Sequence, residues 1–389
     1  MEEWKKYTAL EFCSNITDGT HDSPKQKSVG HYLITSKHLQ NNSIDFSSAY
    51  KISEEDYKKI IKRSAVAQYD ILFSMIGTIG NIVRIKESNI DYAVKNIAIF
   101  KMGGNKLRSK WLYYWLKSNI AKEYISSRLA GSTQSYLTLD NLRNFPILAP
   151  SEKEMHKIVS ILSSLDDKIE LNRRINDNLE QQAQALFAEM FEKDYFFVQL
   201  GAVIKTCSGG TPSRNNADYY IDGTICWVKS KELNRSILFD TEENITQAAV
   251  ENSSAKLLPK DSVLIAMYGA TVGEYCIIDK PMACNQAICA LLPSSEYPAS
   301  YLFMLVKQKR KELINLAVGF AQQNISQLLI KELSVSGNLK LIAQFDKMVM
   351  PILKMIRKNT KESIILGYER DSLLHRLMSG ELKINDLNC

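Results

Sequence analysis

The segment SGGTPSRNNADYY, Ser208 to Tyr220, sets two glycines beside hydroxyls and an arginine, the materials of a phosphate-binding loop. A nucleotide loop needs G-x-x-x-x-G-K-[ST], so that a ring of backbone N–H groups and a lysine hold the phosphates. After Gly209 and Gly210 come Thr211 and Pro212, with no lysine in place and no second glycine in step. The segment therefore falls short of a nucleotide site. Other chemistries fare no better. Adenine methylation would need N-P-P-[FY] or D-P-P-Y to hold the amino group, and the chain has no Pro-Pro pair. A magnesium nuclease of the PD-(D/E)xK kind needs an acid after proline. No such dipeptide occurs, and the E-x-K at Glu381-Leu382-Lys383 reads as a solvated helix end. No G-x-S-x-G elbow offers a nucleophilic serine. His21, His31 and His38 lie close together but lack the i, i+3 or i, i+4 spacing of a helical zinc site. No metal is expected, and these histidines read as polar surface or DNA-facing groups.

The whole chain sets bounds on what remains. It has 389 residues, 45% of them hydrophobic and 24% charged, with a net charge of +6. That length predicts two domains, and the positive charge is compatible with a nucleic-acid partner. No apolar run is long enough to cross a membrane, and MEEWKKYTAL, mixing acids with bases, gives no expectation of a secretion signal. Seven cysteines without a C-x-x-C pair predict reduced thiols and a cytoplasmic protein, with Cys284 and Cys289 filling core.

An internal repeat organises the chain. TDGTHDSP from Thr17 resembles SGGTPS from Ser208, aligning Gly19-Thr20 with Gly210-Thr211; TSKHL from Thr35 matches KSKEL from Lys229. DILFSMIGTIGNIVRI from Asp70 pairs with DSVLIAMYGATVGEYCII from Asp261, and AGSTQSYLTLDNL from Ala130 with VGFAQQNISQLLI from Val318, always in the same order. Within each copy the β-rich runs, punctuated by glycine, predict strand, turn, strand, with turns at Gly77, Gly80, Gly269 and Gly273. An amphipathic helix is expected over 110–126 and over 300–318. Each copy closes in a helical tract. Ser151 and Glu154 form an S-x-x-E capping box, after which Ile158, Leu162, Leu165, Ile169, Asn172, Asn176, Leu179 and Ala183 recur in steps of four and three, a heptad seam. The second tract keeps these steps through Val349, Ile352, Ile356, Asn359 and Ser363. Asn172, Asn176 and Asn359 put amides in the seam, which costs stability and fixes register. Residues 152–193 carry nine acids and six bases, residues 339–384 five acids and nine bases, favouring an antiparallel pairing of the two tracts. Pro351 predicts a break or kink, with the second long helix starting near it. The expected layout is a globular domain over 1–150, a helix over 151–193, a second globular domain over 194–337 and a second helix and tail over 338–389.

What survives duplication is polar and basic. Lys37 and Lys231 sit beside Ser36 and Ser230, with Lys229 ahead of the second pair; Asn96 aligns with Asn285; Gln134 and Gln322 each follow a glycine by three residues, next to Ser135 and Gln323. The two opening motifs add Thr20, His21 and Lys25, and Thr211, Ser213 and Arg214, and His38 follows Lys37. Lysine neutralises phosphate, and Asn or Gln reads adenine in the major groove. Solvated surface residues and loop caps would look the same.

Two diverged repeats, each opening with G-T-[HP] and carrying a GSTQ-like turn, followed by LLHRLMSGELKI near the C-terminus, resemble the DNA specificity subunit of type I restriction-modification systems over essentially the whole chain. The resemblance implies an α/β protein in which two pseudo-repeated mixed α/β target recognition domains are joined by an antiparallel two-helix coiled coil. Each domain would read one half of a split, asymmetric sequence in double-stranded DNA. The helices would act as spacer and as docking surface for two modification subunits, and restriction subunits would join to make the nuclease. It also implies a non-catalytic chain that binds no cofactor itself, with S-adenosylmethionine, ATP and magnesium used by the partners. In the second copy VGFAQQ keeps Gly319 and Gln322 and loses the hydroxyls of Ser132 and Thr133. Two other readings stay open on the residues alone. A stand-alone DNA-modifying enzyme would act on DNA without partners, and a repeat-built protein scaffold would show no DNA preference.

Overall fold

The computed structural model describes residues 4–40, 42–131, 135–317 and 324–382. It divides into two compact units, Met1–Lys168 with Leu366–Cys389, and Ile169–Ile365.

In the first unit an antiparallel sheet runs in the order Asn15–Asp18, Ile97–Lys101, Ile71–Ser74, Ile82–Arg84. The period of two along a strand divides its apolar residues between two cores. Ile71, Phe73 and Phe100 pack with Trp111 and Trp115, whereas Leu72, Val83 and Ile99 pack with Ile34 and Val94. A second sheet joins His31–Ile34 in parallel to Tyr92–Val94 and antiparallel to Lys51–Ile52. The helix Lys106–Lys117 is fastened by its indoles, for Trp111 Nε1 donates to Leu148 O (3.0 Å) and Trp115 Nε1 to Pro146 O (2.8 Å). The helix expected over 110–126 is in fact two. Ser118 is extended, and its Oγ accepts from Ala121 N–H, capping a new helix Asn119–Ser127.

The second unit repeats this plan. Lys205–Ser208, Ile288–Leu292, Val263–Ala266 and Tyr275–Ile278 form the main sheet, extended by Ile237–Leu238, while Ile225–Val228 pairs in parallel with Ala283–Cys284 and antiparallel with Asn244–Ile245. Tyr301 and Tyr297, on and just before the helix Ala299–Asn315, hold the strand Ser334–Ser336 at Ser336, where the first unit uses indoles. The hairpins expected from Asp70 and Asp261 are present, each preceded by a left-handed residue, Tyr69 (φ 71°) or Asp261 (φ 69°). Gly77, Gly80, Gly269 and Gly273 all have φ between 71° and 90°, the region glycine enters without a Cβ penalty.

Two 40-residue helices, Glu152–Phe191 and Leu339–Met378, contribute to both units. Ser151 Oγ accepts from Glu154 N–H at 3.4 Å, supplying the expected start of the first. The second runs through Pro351, so the break expected there is corrected. The proline removes one helical hydrogen bond, but it stands on the exposed side while Val349, Leu353 and Ile356 anchor the helix in the core. In the second unit the pairing is antiparallel and amide-bonded. Buried Asn172 donates to Glu362 Oε2 (2.7 Å), buried Asn359 donates to Asn176 Oδ1 (2.9 Å), and Asn176 donates to Thr360 Oγ1 (3.2 Å). In the first unit, Met155, Ile158 and Leu162 pack with Leu374 and Leu377, and Arg370 donates to Asp166 at 2.7 Å.

Candidate nucleic-acid interface

The two opening motifs lie where the main sheet hands over to the small parallel sheet. In the first unit Thr20 N–H donates to Val94 O, and Lys95 N–H to Ile34 O. In the second, Gly210 N–H donates to Cys284 O, and Asn285 N–H to Val228 O. This backbone pattern equates Gly19 with Gly209, Thr20 with Gly210, His21 with Thr211 and Lys95 with Asn285. The sequence alignment of Gly19-Thr20 with Gly210-Thr211, and of Asn96 with Asn285, is therefore one residue out of register. Chemistry agrees with the corrected register. A Cβ on Gly19 would lie 2.2 Å from Val94 O and one on Gly209 2.1 Å from Cys284 O. These glycines permit strands to approach closely; their φ values are not left-handed, so turn geometry is not their role.

Side chains at the corrected positions also correspond. His21 Nδ1 lies 2.8 Å from Asn96 Oδ1, while its Nε2 faces Asp18 Oδ2 at 2.9 Å. In the second unit the Thr211 hydroxyl donates to Gln286 Oε1; no repeat match in the sequence points to Gln286, because the letter alignment falls one place earlier. Asn285 instead serves the backbone, accepting from Ala287 N–H.

The TSKHL and KSKEL motifs form matching short 3-10 turns, Ser36–His38 and Ser230–Glu232. In each, the third residue turns back to accept the N–H of the residue before the turn: His38 Nδ1 from Thr35 and Glu232 Oε2 from Lys229, both at 2.8 Å. Their side chains are buried, with His38 1% and Glu232 6% exposed. His38 is thus an internal lock of the turn and not a DNA-facing group. Burial, aided by nearby Lys37, holds its imidazole below the usual value. The hydroxyl of Ser36 donates to Asn96 O (3.3 Å), so Thr20, His21, Ser36 and Asn96 form one neighbourhood with exposed Lys37 beside it. Thr20 is itself buried, its Oγ1 accepting from Asp22 N–H.

The cations differ between units. Lys37 and Lys25 are exposed and form no ion pair among the described residues. Arg214 is fastened instead: its guanidinium stands over Tyr220 (4.3 Å) and Trp227 (5.3 Å) and forks onto both oxygens of Glu243 (2.6 and 2.9 Å). Lys229 joins the same carboxylate, and Lys231 pairs with Glu242 at 2.5 Å. Arg214 first, then Lys229, pulls the Glu243 carboxyl down to about 2. Neither the acids Glu242 and Glu243 nor the rings Tyr220 and Trp227 announce this cluster in the sequence. Ser213 and Ser230 contribute carbonyl oxygens to local turns, and Ser135 is exposed. Gln134, Gln322 and Gln323 lie outside the described residues. Their loops are anchored alike, by Leu137 N–H to Met75 O and by Ile325 N–H to Met267 O.

A family model for the type I restriction modification DNA specificity domain matches residues 1–181 and, a second time, residues 192–336. The chain belongs to that family. Among specificity-domain relatives, a type I restriction enzyme HindI specificity subunit from Haemophilus influenzae is 25% identical, covering 98% of this chain and 100% of its own length. The MjaIX specificity subunit from Methanocaldococcus jannaschii is 26% identical over 72% of this chain and 70% of its own length. The fold matches a type I restriction-modification S subunit from M. genitalium with a TM-score of 0.53 at 17% identity, covering 96% of both chains. The two mixed α/β units correspond to the two target recognition domains expected of a specificity subunit, and the paired long helices to its coiled coil. Among the described residues, no cluster of three or more metal-ligating side chains exists and no helix is long and apolar enough to cross a membrane.

Proposed function

We propose that this protein is the sequence-reading subunit of a type I restriction-modification complex, each α/β unit contacting one half of a bipartite, asymmetric target in double-stranded DNA. One observation carries the reading: the same backbone station is built twice, at Gly19–His21 and Gly209–Thr211, and bears different exposed side chains. A duplicated frame with altered tips is what two unlike half-sites require, since base edges are read by side chains while the frame sets position. The free cations Lys37 and Lys25, the clustered Arg214, Lys229 and Lys231, and the loops bearing Ser135, Gln134, Gln322 and Gln323 are the proposed phosphate- and base-contacting groups. The helical tracts serve as spacer and as docking surface for two modification subunits. Adenine methylation with S-adenosylmethionine, and ATP- and magnesium-dependent cleavage, belong to the modification and restriction subunits, in the cytoplasm. Deleting the gene in its host and mapping methylated adenines tests this. One bipartite methylated sequence is expected to vanish and to return on complementation; a methylation pattern indifferent to the chain contradicts the proposed function.

A further inference from the structure

One pair of side chains, Asn96 and Gln286, stands at matching stations of the two units. In the first unit Asn96 stands at the end of the parallel strand Tyr92–Val94, with a left-handed backbone (φ 54°) that asparagine tolerates better than most residues. Taken alone, that would account for the residue. In the second unit one extra residue lies between Asn285 and Ile288, no left-handed backbone is present there, and an amide, Gln286, still occupies the matching contact. The backbone therefore does not explain why an amide recurs. In both units the amide oxygen is engaged from within, by His21 at Asn96 and by Thr211 at Gln286. With the oxygens so engaged, each NH2 is left without a side-chain or backbone acceptor among the described residues. Gln286 is exposed and Asn96 half-buried. A lysine is adjacent in sequence to the residue that contacts each station, Lys37 after Ser36 in one unit and Lys229, paired with Glu243, after Val228 in the other.

We propose that Asn96 and Gln286 are the paired specificity determinants of the two half-sites, each presenting its NH2 to a hydrogen-bond acceptor on a base edge in the major groove. His21 and Thr211 are positioning residues that hold the amides in this orientation. The proposal rests on the sequence-reading function above and names its site. Purine N7, guanine O6 and thymine O4 are the acceptors of the major groove, whereas cytosine offers only the N4 amino donor and so suits a carboxylate. Converting the amide to a carboxylate should therefore exchange the base preferred at one position and disturb no other.

The test introduces Gln286→Glu or Asn96→Asp into the full chain in its host and maps the methylated sequence. The expected result is that each variant shifts preference toward cytosine at a single position, in a different half of the target for each. Discrimination at that position should change by about ten-fold or more, the scale of a good base contact. Gln286→Met, which keeps length and removes only the hydrogen bonds, should relax that position to near degeneracy. If a carboxylate variant abolishes methylation, the Met variant decides. Methylation of the unchanged target by Gln286→Met, or its loss while the purified variant melts like the wild type and still discriminates that base in DNA binding, overturns the proposal. Unchanged targets in all variants, with methylation still dependent on the chain, overturn the assignment of Asn96 and Gln286 and leave the sequence-reading function standing; methylation independent of the chain removes both.

Discussion

Lys37 and Lys231 occupy the same position of the same short turn, yet their electrostatic surroundings are opposite. Lys37 is exposed with no ion-pair partner among the described residues, whereas Lys231 pairs with Glu242 at 2.5 Å, a contact that raises the lysine and lowers the carboxyl. If both turns approach DNA, Lys37 offers its full charge to a phosphate, while Lys231 must first leave Glu242. Each phosphate contact adds about 0.9 to the slope of log K against log salt. Between about 50 and 200 mM salt, a fourfold range, one contact thus changes affinity by roughly 3.5-fold. The affinity ratio of wild type to Lys37→Ala should therefore shrink by about that factor over this range, measured by fluorescence anisotropy on a duplex carrying the methylated sequence. Lys231→Ala should alter the slope by less, and Glu242→Gln, which frees Lys231, should tighten binding most at low salt. Equal slope changes for the two lysines, or an unchanged slope in Lys37→Ala, would refute the reasoning.

Other predictions concern stability. His31 stacks on Tyr57 between Glu54 and Asp91; the bond to Glu54 foremost, then Asp91, raises its imidazole above the usual value. A raised folded value stabilises below the unfolded one and the benefit is lost as pH climbs through the raised value, so His31→Gln should lower Tm more at pH 6 than at pH 8.5. Gly19→Ala and Gly209→Ala force a methyl onto a backbone carbonyl and should each cost about 1–3 kcal/mol in urea unfolding; Gly77→Ala, with open space and only a left-handed backbone to oppose it, should cost about 1 kcal/mol. Asn359→Leu leaves the Asn176 oxygen without the Asn359 donor and should cost about 1–3 kcal/mol; a Tm equal to wild type would show that the amide contributes nothing.

Much of the architecture is legible because it is periodic. Alternating apolar residues around Gly77 and Gly269 disclose the hairpins, and four-three spacing discloses the helical seam with its asparagines. The interface is harder, because its register depends on contacts between strands distant in sequence. The coincidence of Gly19-Thr20 with Gly210-Thr211 is a better letter match than the true one, and only the approach of Gly19 to Val94 and of Gly209 to Cys284 exposes the slip. His38 and Glu232 look unrelated as letters and perform one task, because what the turn needs is an acceptor atom, which imidazole and carboxylate both supply. Pro351 misleads for a local reason: its missing hydrogen bond is tolerated on the exposed side of a helix anchored by apolar neighbours. Arg214 reads as a free cation until Glu243, Tyr220 and Trp227 are brought to it by the fold.

On the function proposed above, two similar units read two different halves of one DNA target. Replacing residues 194–337 by the corresponding segment of a relative with a different target, then mapping methylated adenines genome-wide in the host, tests it most directly. A hybrid sequence is expected in which one half is new and the other unchanged; alteration of both halves, or of neither with methylation retained, would contradict separate reading by the two units.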